Sequence, residues 1–493
     1  MTIETTEEII GRSEELKTLE LMLTSPKSEF LAIFGRRRIG KTFLISQYFS
    51  KQSDCSFFYI SGMKEHTLAE QIEEFTKQIS RSFYQEAKLA IPKRWIDVFE
   101  ELTRAINHMP KNKKVVLFFD EFPWMVTKKS KLLQALDYYW NRFWVHDSRL
   151  KLIICGSAAS WIVKNVINNK GGLYNRVTQT IELKPFSLTE TKLFLKAKGI
   201  NLNNSHILNL YMVFGGVPYY LNMLRKNLSA EQCIDQLCFR VKGPLFEEFD
   251  KLFSSLFGNS DVYAKIIKLL AKHRYGLGQK DIMKRGDIAE GGSAVQRLKE
   301  LEQAGFITSF IPHKHQERGI YYKIIDEFTL FYLCWIEPNK TTIKRENKLT
   351  DYWQSQVATP SWTSWMGYAF EAVCYKHVSN IRNALGIAVG ANVGTWRYSP
   401  WRKEQEQGAQ IDLLFDRKDN AVTLCEIKYS QKPFVIDKQY AKKLLNKADV
   451  YKKHTGTRKQ IFIAMISVNG LKPTMYSEEI ISGVVTLDNF FSS

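Results

Sequence analysis

Cysteine is scarce in the chain: 493 residues hold 7, and they are scattered. None stands in a Cys-x-x-Cys pair or close to histidine partners, which excludes a zinc finger and a disulfide framework. No run approaches the roughly 20 apolar residues a helix needs to cross a bilayer, so no membrane span is expected. The opening stretch "MTIETTEEIIGRSEELK" is acidic and lacks a secretory apolar core, and the expectation is a cytoplasmic protein. Acid is also in short supply, with 51 Asp and Glu against 70 Lys and Arg, a net charge of +19. That excess points to a polyanionic partner, although solvated lysines alone give the same number. What is present is ordinary for a globular chain, 44% hydrophobic and 25% charged, and the length calls for two to four domains.

The most specific stretch is "FLAIFGRRRIGKTFLISQYF". Gly35, Arg36, Arg37, Arg38, Ile39, Gly40, Lys41 and Thr42 fit G-x-x-x-x-G-K-[ST] between an apolar strand and an amphipathic helix. Gly35 and Gly40 would let backbone N–H groups close around a phosphate, helped by the helix N-terminus. Lys41 would reach the β and γ oxygens of ATP, and Thr42 would ligate Mg²⁺. "KKVVLFFDEFPWM" supplies the second component: Asp120 would hold the same ion through water, and Glu121 would polarise the attacking water. Further strands are expected at Cys55–Ser61, Leu150–Ser157 and Thr178–Lys184, the spacing of an α/β domain. Ser157 ends its strand where it would sense a γ-phosphate. Arg176 stands just before the last strand, within reach of a phosphate in cis or in a neighbouring subunit.

In order, "IIGRSEELKTLELML", "FGRRRIGKT", "VVLFFDEFPWM", "IICGSAASWI", "LYNR", "IELKPFS" and "FGGVPYYL" resemble the archaeal-type AAA ATPases, P-loop enzymes close to the signalling ATPases with numerous domains. The resemblance covers roughly the first half of the chain. It implies a five-stranded parallel core of order 5-1-4-3-2 followed by a helical lid. It also implies that Ile10, Gly11 and Arg12 lie near the adenine, that Ser157 is a first sensor, and that Arg176 is a finger or sensor arginine.

From Asp261 the pattern changes to three helices and two strands, which describes a winged helix-turn-helix. "GGSAVQRLKELEQAGFI" is the third helix, with Ser293 as its N-cap and Gly305 as its stop. Gln296, Arg297 and Lys299 would face a DNA groove if DNA is read there; a purely connecting role is the alternative. His313 and His315 are expected to be solvated rather than metal-bound.

Near the C-terminus, "GAQIDLLFDRKDNAVTLCEIKYS" reads as a β-hairpin carrying Asp412 on one strand and Glu426 and Lys428 on the other. Alternation puts Glu426 and Lys428 on one face, and a turn centred on Asp419 sets Asp412 across from Glu426. A bulge at Asn420 would shift that by one residue. Two acids and an ammonium in one place are costly unless a cation such as Mg²⁺ lies between the acids. Glu371, on the helix "SWTSWMGYAFEAVCYKHV", would add a ligand or orient one. "FE…QIDLLFD…CEIKYS" resembles the PD-(D/E)xK nucleases, with Gln410-Ile411-Asp412 in place of the Pro-Asp pair. "GTWRYSPW" and "IFIAMIS" fit the surrounding sheet.

The fold expected is therefore α/β: a P-loop AAA-type core over residues 1–187, a helical lid over 188–258, a winged helix over 259–345 and a restriction-endonuclease-like domain over 346–493. The function expected is ATP hydrolysis coupled to a DNA-binding, Mg²⁺-dependent nuclease site, in a chain that forms homo-oligomers if Arg176 acts across subunits. The alternative is an ATP-gated regulatory switch whose C-terminal domain binds a partner without cleavage.

Overall fold

The computed structural model describes residues 8–492 other than 128, 169–170, 174, 290, 312–318, 350 and 399–406. The chain forms two compact units, Met1–Pro185 and Phe186–Ser493.

The first unit is built on five parallel strands: β1 (Glu29–Phe34), β2 (Cys55–Ser61), β3 (Lys114–Asp120), β4 (Leu150–Gly156) and β5 (Gln179–Glu182), in spatial order β2-β3-β4-β1-β5. This is the order 5-1-4-3-2. Its three central strands, β1, β3 and β4, are near-continuous buried runs because both faces are covered. Phe30 and Ala32 of β1 enter one apolar cluster, and Leu31 and Ile33 enter the other. Because all five strands run parallel, the C-terminal ends of β1, β3 and β4 open on the same edge, where such sheets bind ligands. Helices α1 (Ser13–Thr24) and α2 (Lys41–Ser50) flank the sequence around β1.

In the second unit the segments 188–258, 259–345 and 346–493 share one apolar cluster that runs from Phe186 to Phe490. Helices α3 (Ser260–Ala271), α4 (Gln279–Arg285) and α5 (Gly292–Gln303) precede antiparallel strands β6 (Ile307–Phe310) and β7 (Tyr321–Ile324). The short strand Leu277–Gly278 pairs with β7 on its other side. The expected Ser293 cap is corrected: α5 starts at Gly292, and Gly291 sits at the cap position with φ +132° and no side-chain cap bond. The glycine pair turns the backbone by itself, so a hydroxyl cap is not used. Gly305 follows α5 at φ +77°, the left-handed stop. His313 and His315 lie outside the described residues, as do Ser399, Pro400 and Trp401 of the "GTWRYSPW" stretch.

The C-terminal sheet contains β8 (Asn392–Tyr398), β9 (Ala409–Asp416), β10 (Ala421–Lys428), β11 (Gln460–Ser467) and β12 (Ile481–Val485) in the order β12-β11-β10-β9-β8. β8, β9 and β10 are antiparallel neighbours, and β10, β11 and β12 are parallel. Helices α6 (Pro360–Lys376) and α7 (Lys438–Thr455) pack against it. The β9–β10 register pairs Leu413 with Cys425, so Asp412 stands opposite Glu426. Asn420 takes the turn at φ +58° without shifting that register. The irregularity falls elsewhere: against β8, Ile411 pairs with Trp396 but Leu414 with Gly394, a one-residue bulge at Asp412–Leu413. Bulges of this kind re-aim a side chain.

Candidate functional site

At the C-terminal edge of the first sheet, the loop after β1 is shaped by backbone that only glycine tolerates well. Gly35 has φ +143°, and a Cβ there would lie 2.2 Å from the Leu183 carbonyl oxygen. Gly40 has φ +88° and hands the chain to α2. Arg36 and Ile39 are buried in the loop, and Arg37 and Arg38 are half-buried. Lys41, the first residue of α2, is buried, and its Nζ donates to the carbonyls of Gly35 (3.0 Å) and Arg36 (2.9 Å). The ammonium thus waits inside the loop, aligned along the backbone that would wrap a phosphate.

A chain of bonds links the other residues. Thr42 Oγ1 donates to Asp120 Oδ2 at 2.7 Å, and the Glu121 N–H donates to Asp120 Oδ1 at 2.9 Å. Ser157, buried at the end of β4, donates to Glu121 Oε2 through its N–H (3.2 Å) and its Oγ (2.9 Å). Glu121 holds φ +42°, a left-handed conformation uncommon for a side chain of its size. The Thr42 hydroxyl and the Asp120 carboxylate meet as a hard-oxygen pair of the kind that binds Mg²⁺ together with water. Asp120 also acts on its surroundings: burial first, and then its charge, push the Tyr59 hydroxyl up to about 12.

Gly11 (φ +68°) and Arg12 (φ +61°) turn the chain into α1. Arg12 is buried, and its Nη2 donates to the Ile39 carbonyl at 3.4 Å, which ties this turn to the phosphate loop. Arg176 is exposed before β5 and makes no hydrogen bond or ion pair with the loop among the described residues.

The second cluster lies on β9 and β10. Asp412 and Glu426 are both buried, at 7% and 6% exposure. Asp412 accepts from the Ile427 N–H and from Gln410 Nε2, each at 3.2 Å. Glu426 accepts from Tyr440 Oη at 2.7 Å, Lys447 Nζ at 2.5 Å and Lys428 Nζ at 3.2 Å. Burial pushes Glu426 up, but Lys447 and Lys428 outweigh it and hold the carboxylate below its usual range. Asp412 goes the other way, raised by burial and then by the charge of Glu426. Lys428 is drawn down by burial and more than restored by Glu426 and Asp412.

Glu371 reaches the cluster from α6. Burial and then Asp412 push its carboxyl up to about 8, while Lys323 and Lys428 pull it down. Lys323, on β7, is 8% exposed and is lowered to about 7 by burial, against the pull of Glu371 and Asp412. Its ammonium lies 2.9 Å from the centre of the Tyr375 ring, and the Tyr375 hydroxyl donates to the Asp412 carbonyl.

Asp412, Glu426, Lys428 and Glu371 therefore form one electrostatic group, joined by three residues that sequence reasoning passed over: Tyr440, Lys447 and Lys323. Among the described residues no three His, Cys, Asp or Glu side chains gather around one point that could hold a metal ion. The donor set available for a divalent cation is the pair Asp412 and Glu426. Such a pair suits Mg²⁺, which is commonly held by one or two carboxylates and keeps its waters.

No helix among the described residues is long and apolar enough to cross a membrane. Comparison with known proteins adds relatives, solved structures and family matches. A protein of Methanocaldococcus jannaschii described as uncharacterized is 26% identical over 426 residues, covering 85% of this chain and 87% of that one. A Walker-type ATPase of Pyrococcus abyssi is structurally similar at a TM-score of 0.49 and 19% identity, over 66% of this chain and 97% of that one. The ORC2 protein of Aeropyrum pernix is similar at a TM-score of 0.43 and 14% identity, over 69% and 97%. Residues 332–444 match a family described as archaeal and bacterial proteins of unknown function. Residues 9–224 match the family described as an ATPase domain predominantly from Archaea, so this part of the chain, with its parallel five-stranded core, is an archaeal-type P-loop ATPase domain.

Proposed function

We propose that the chain hydrolyses ATP at the Gly35–Thr42 loop and uses the nucleotide state to control a DNA-directed, metal-assisted nuclease site at Asp412, Glu426, Lys428 and Glu371. The observation that carries the first half is the unbroken chain Thr42–Asp120–Glu121–Ser157 beside the loop. The loop N–H groups and Lys41 bind the phosphates. Glu121 orients the attacking water, and Ser157 fixes where that carboxylate points. Mg²⁺ held through Thr42 and Asp120 would neutralise charge on the β- and γ-phosphates. Arg176, and the turn at Gly11 and Arg12, complete the nucleotide site in this reading.

For the second half, the support is the placement of two buried carboxylates opposite each other with Lys428 on the same face. A divalent cation on Asp412 and Glu426 would polarise a phosphodiester; Lys428 positions water and balances charge. The segment 259–345 serves as a winged helix, with Gln296 and Lys299 exposed on α5. The basic balance of the chain and the exposed lysines of α7, Lys438, Lys442 and Lys443, favour a polyanion. The test is cleavage of supercoiled, linear and branched DNA in Mn²⁺, with and without ATP. Hydrolysis of ATP without cleavage or binding of DNA overturns the second half and leaves the first.

One observation favours the second reading, a regulatory switch without cleavage. Lys447 already neutralises Glu426, as an internal cation does in a site that needs no metal. Replacing Glu426 and Lys428 by alanine separates the two: a nuclease loses cleavage and keeps ATPase activity, whereas a switch keeps its output.

A further inference from the structure

A cavity of about 370 Å³ lies within the second unit, walled by β6 and β7 on one side and by α6, β8 and β9 on the other. That volume falls in the roughly 300–1,000 Å³ range of pockets that take small ligands. Its lining is chemically lopsided. Six aromatic rings contribute, among them Tyr275, Tyr368, Tyr375 and Trp396, together with three cationic side chains and one carboxyl, that of Glu371.

The cations are placed in two tiers. Lys323 is buried and makes no side-chain hydrogen bond among the described residues; its ammonium rests on the Tyr375 ring. Burying an ammonium without an acceptor is costly, and the arrangement leaves its donors open to whatever fills the cavity. Arg274 and Arg397 are exposed, and so mark the mouth. Each is spread over an aromatic ring: Arg397 lies 4.7 Å from the centre of Tyr275 and Arg274 lies 5.4 Å from that of Tyr368. Arg274 is further fixed by a 3.1 Å bond from its Nη2 to Ser364 Oγ. Planar guanidinium groups already seated on rings present flat, positively charged faces on which a base stacks, and forks that match a phosphate. The Tyr368 hydroxyl is buried with no hydrogen-bond partner among the described residues, a second polar group in the wall.

We infer that this cavity is a binding site for a 5′-phosphorylated nucleoside, either free or as one unit of a single strand, with the base against the aromatic walls and the phosphate on Lys323 and the arginines. An uncharged aromatic ligand leaves Lys323 unsatisfied. A small inorganic anion leaves the guanidinium faces and the remaining aromatic lining without a stacking partner. Only a ligand that is planar at one end and anionic at the other uses both. The inference depends neither on ATP hydrolysis nor on strand cleavage.

The experiment is calorimetric titration of the full chain with thymidine 5′-monophosphate, thymidine, inorganic phosphate and a 12-residue oligothymidylate, in EDTA. It is run on the parent, on Lys41→Ala to silence the phosphate loop, on the rim pair Arg274→Gln with Arg397→Gln, and on Lys323→Met. The expected result is that the monophosphate binds parent and Lys41→Ala equally. Both cavity variants should weaken it at least tenfold, and thymidine and phosphate alone should bind at least tenfold more weakly. If the oligonucleotide binds more tightly than the monophosphate, and through the same residues, the ligand is a unit of a strand; if the monophosphate alone binds, it is a free nucleotide. Binding that is lost in Lys41→Ala and retained in the rim pair overturns the inference, as does no binding at millimolar concentration. The rim pair lies on the surface and should keep the parent's circular dichroism and ATPase rate, which separates lost binding from lost folding.

Discussion

Replacing Glu371 by Gln removes a carboxyl that the fold holds at a cost, and the cost depends on pH in a way that can be worked out. The folded group has its pKa raised from 4.5 to about 8 by burial and by Asp412. Between those values the folded chain keeps a proton that the unfolded chain has lost, so stability falls as pH rises through the window and the loss is complete above 8. At 1.36 kcal/mol per pKa unit, the penalty is on the order of 3 kcal/mol at pH 7 and about 5 kcal/mol at pH 9. Lys323 runs in the opposite sense. Lowered from 10.5 to about 7, it is destabilising in full below pH 7 and is relieved as pH rises from 7 toward 10.5. The assay is hydrogen exchange, read by mass spectrometry over residues 360–376 at pH 5, 7 and 9, after correction for intrinsic rates. Glu371→Gln should open with the parent's free energy at pH 5, or within about 1 kcal/mol of it, and be more stable by several kcal/mol at pH 9. Adding Lys323→Met in the same background isolates the lysine's opposing slope. Parallel pH profiles for parent and Glu371→Gln would refute the buried cluster, because a carboxyl open to water has no such penalty. If Mg²⁺ at millimolar concentration flattens the parent's slope but not that of Glu371→Gln, the ion is acting on this carboxyl's neighbourhood.

Other outcomes follow from the same geometry. Glu121→Gln should bind ATP with near-parental affinity and lose about 100-fold or more in turnover, measured by phosphate release, because it removes the base and leaves the loop intact. Gly35→Ala should abolish nucleotide binding in a filter assay, since its Cβ has no room beside the Leu183 carbonyl. Lys447→Met strips one cation from Glu426 while Lys428 and Tyr440 remain, and should cost about 1.5–3 kcal/mol at pH 7. Glu426 is held below its ordinary pKa, so that contribution is present above the unfolded value of 4.5 and disappears as pH falls through the lower folded value; denaturation at pH 7 and pH 3 should show the difference shrinking.

The phosphate loop was legible because its chemistry is local: Gly35 to Thr42 are contiguous, and backbone conformation alone fixes the cradle. Asp120, Glu121 and Ser157 were legible for a related reason, since each ends an apolar strand and parallel strands end on a common edge. The parity of Asp412, Glu426 and Lys428 could be read from alternation, and the turn at Asn420 preserved it. What sequence reasoning passed over lies at long range. Lys447 is one of several lysines on α7, but it continues the inward face that Ala441 and Leu444 begin and Tyr451 continues. That helical spacing was the available signal. Lys323 was equally visible as a lone charge in "YYKII", but nothing nearby in the sequence indicates that β7 faces a helix more than 30 residues later in the chain. The N-cap of α5 was misread for a simpler reason: a hydroxyl stood where one was wanted, and two glycines made it unnecessary.

The extra residue in β9 constrains how this chain can be altered. Shortening the strand by one residue at Leu413 would let it zip evenly against Asn392–Tyr398 and would look like an improvement in sheet regularity. It would also leave the two flanks of β9 out of step with the hairpin partner, forcing either the carboxylate or the apolar side chains beyond it to change sides. Engineering that straightens this edge should therefore weaken the pairing of β9 with β10 and separate Asp412 from Glu426.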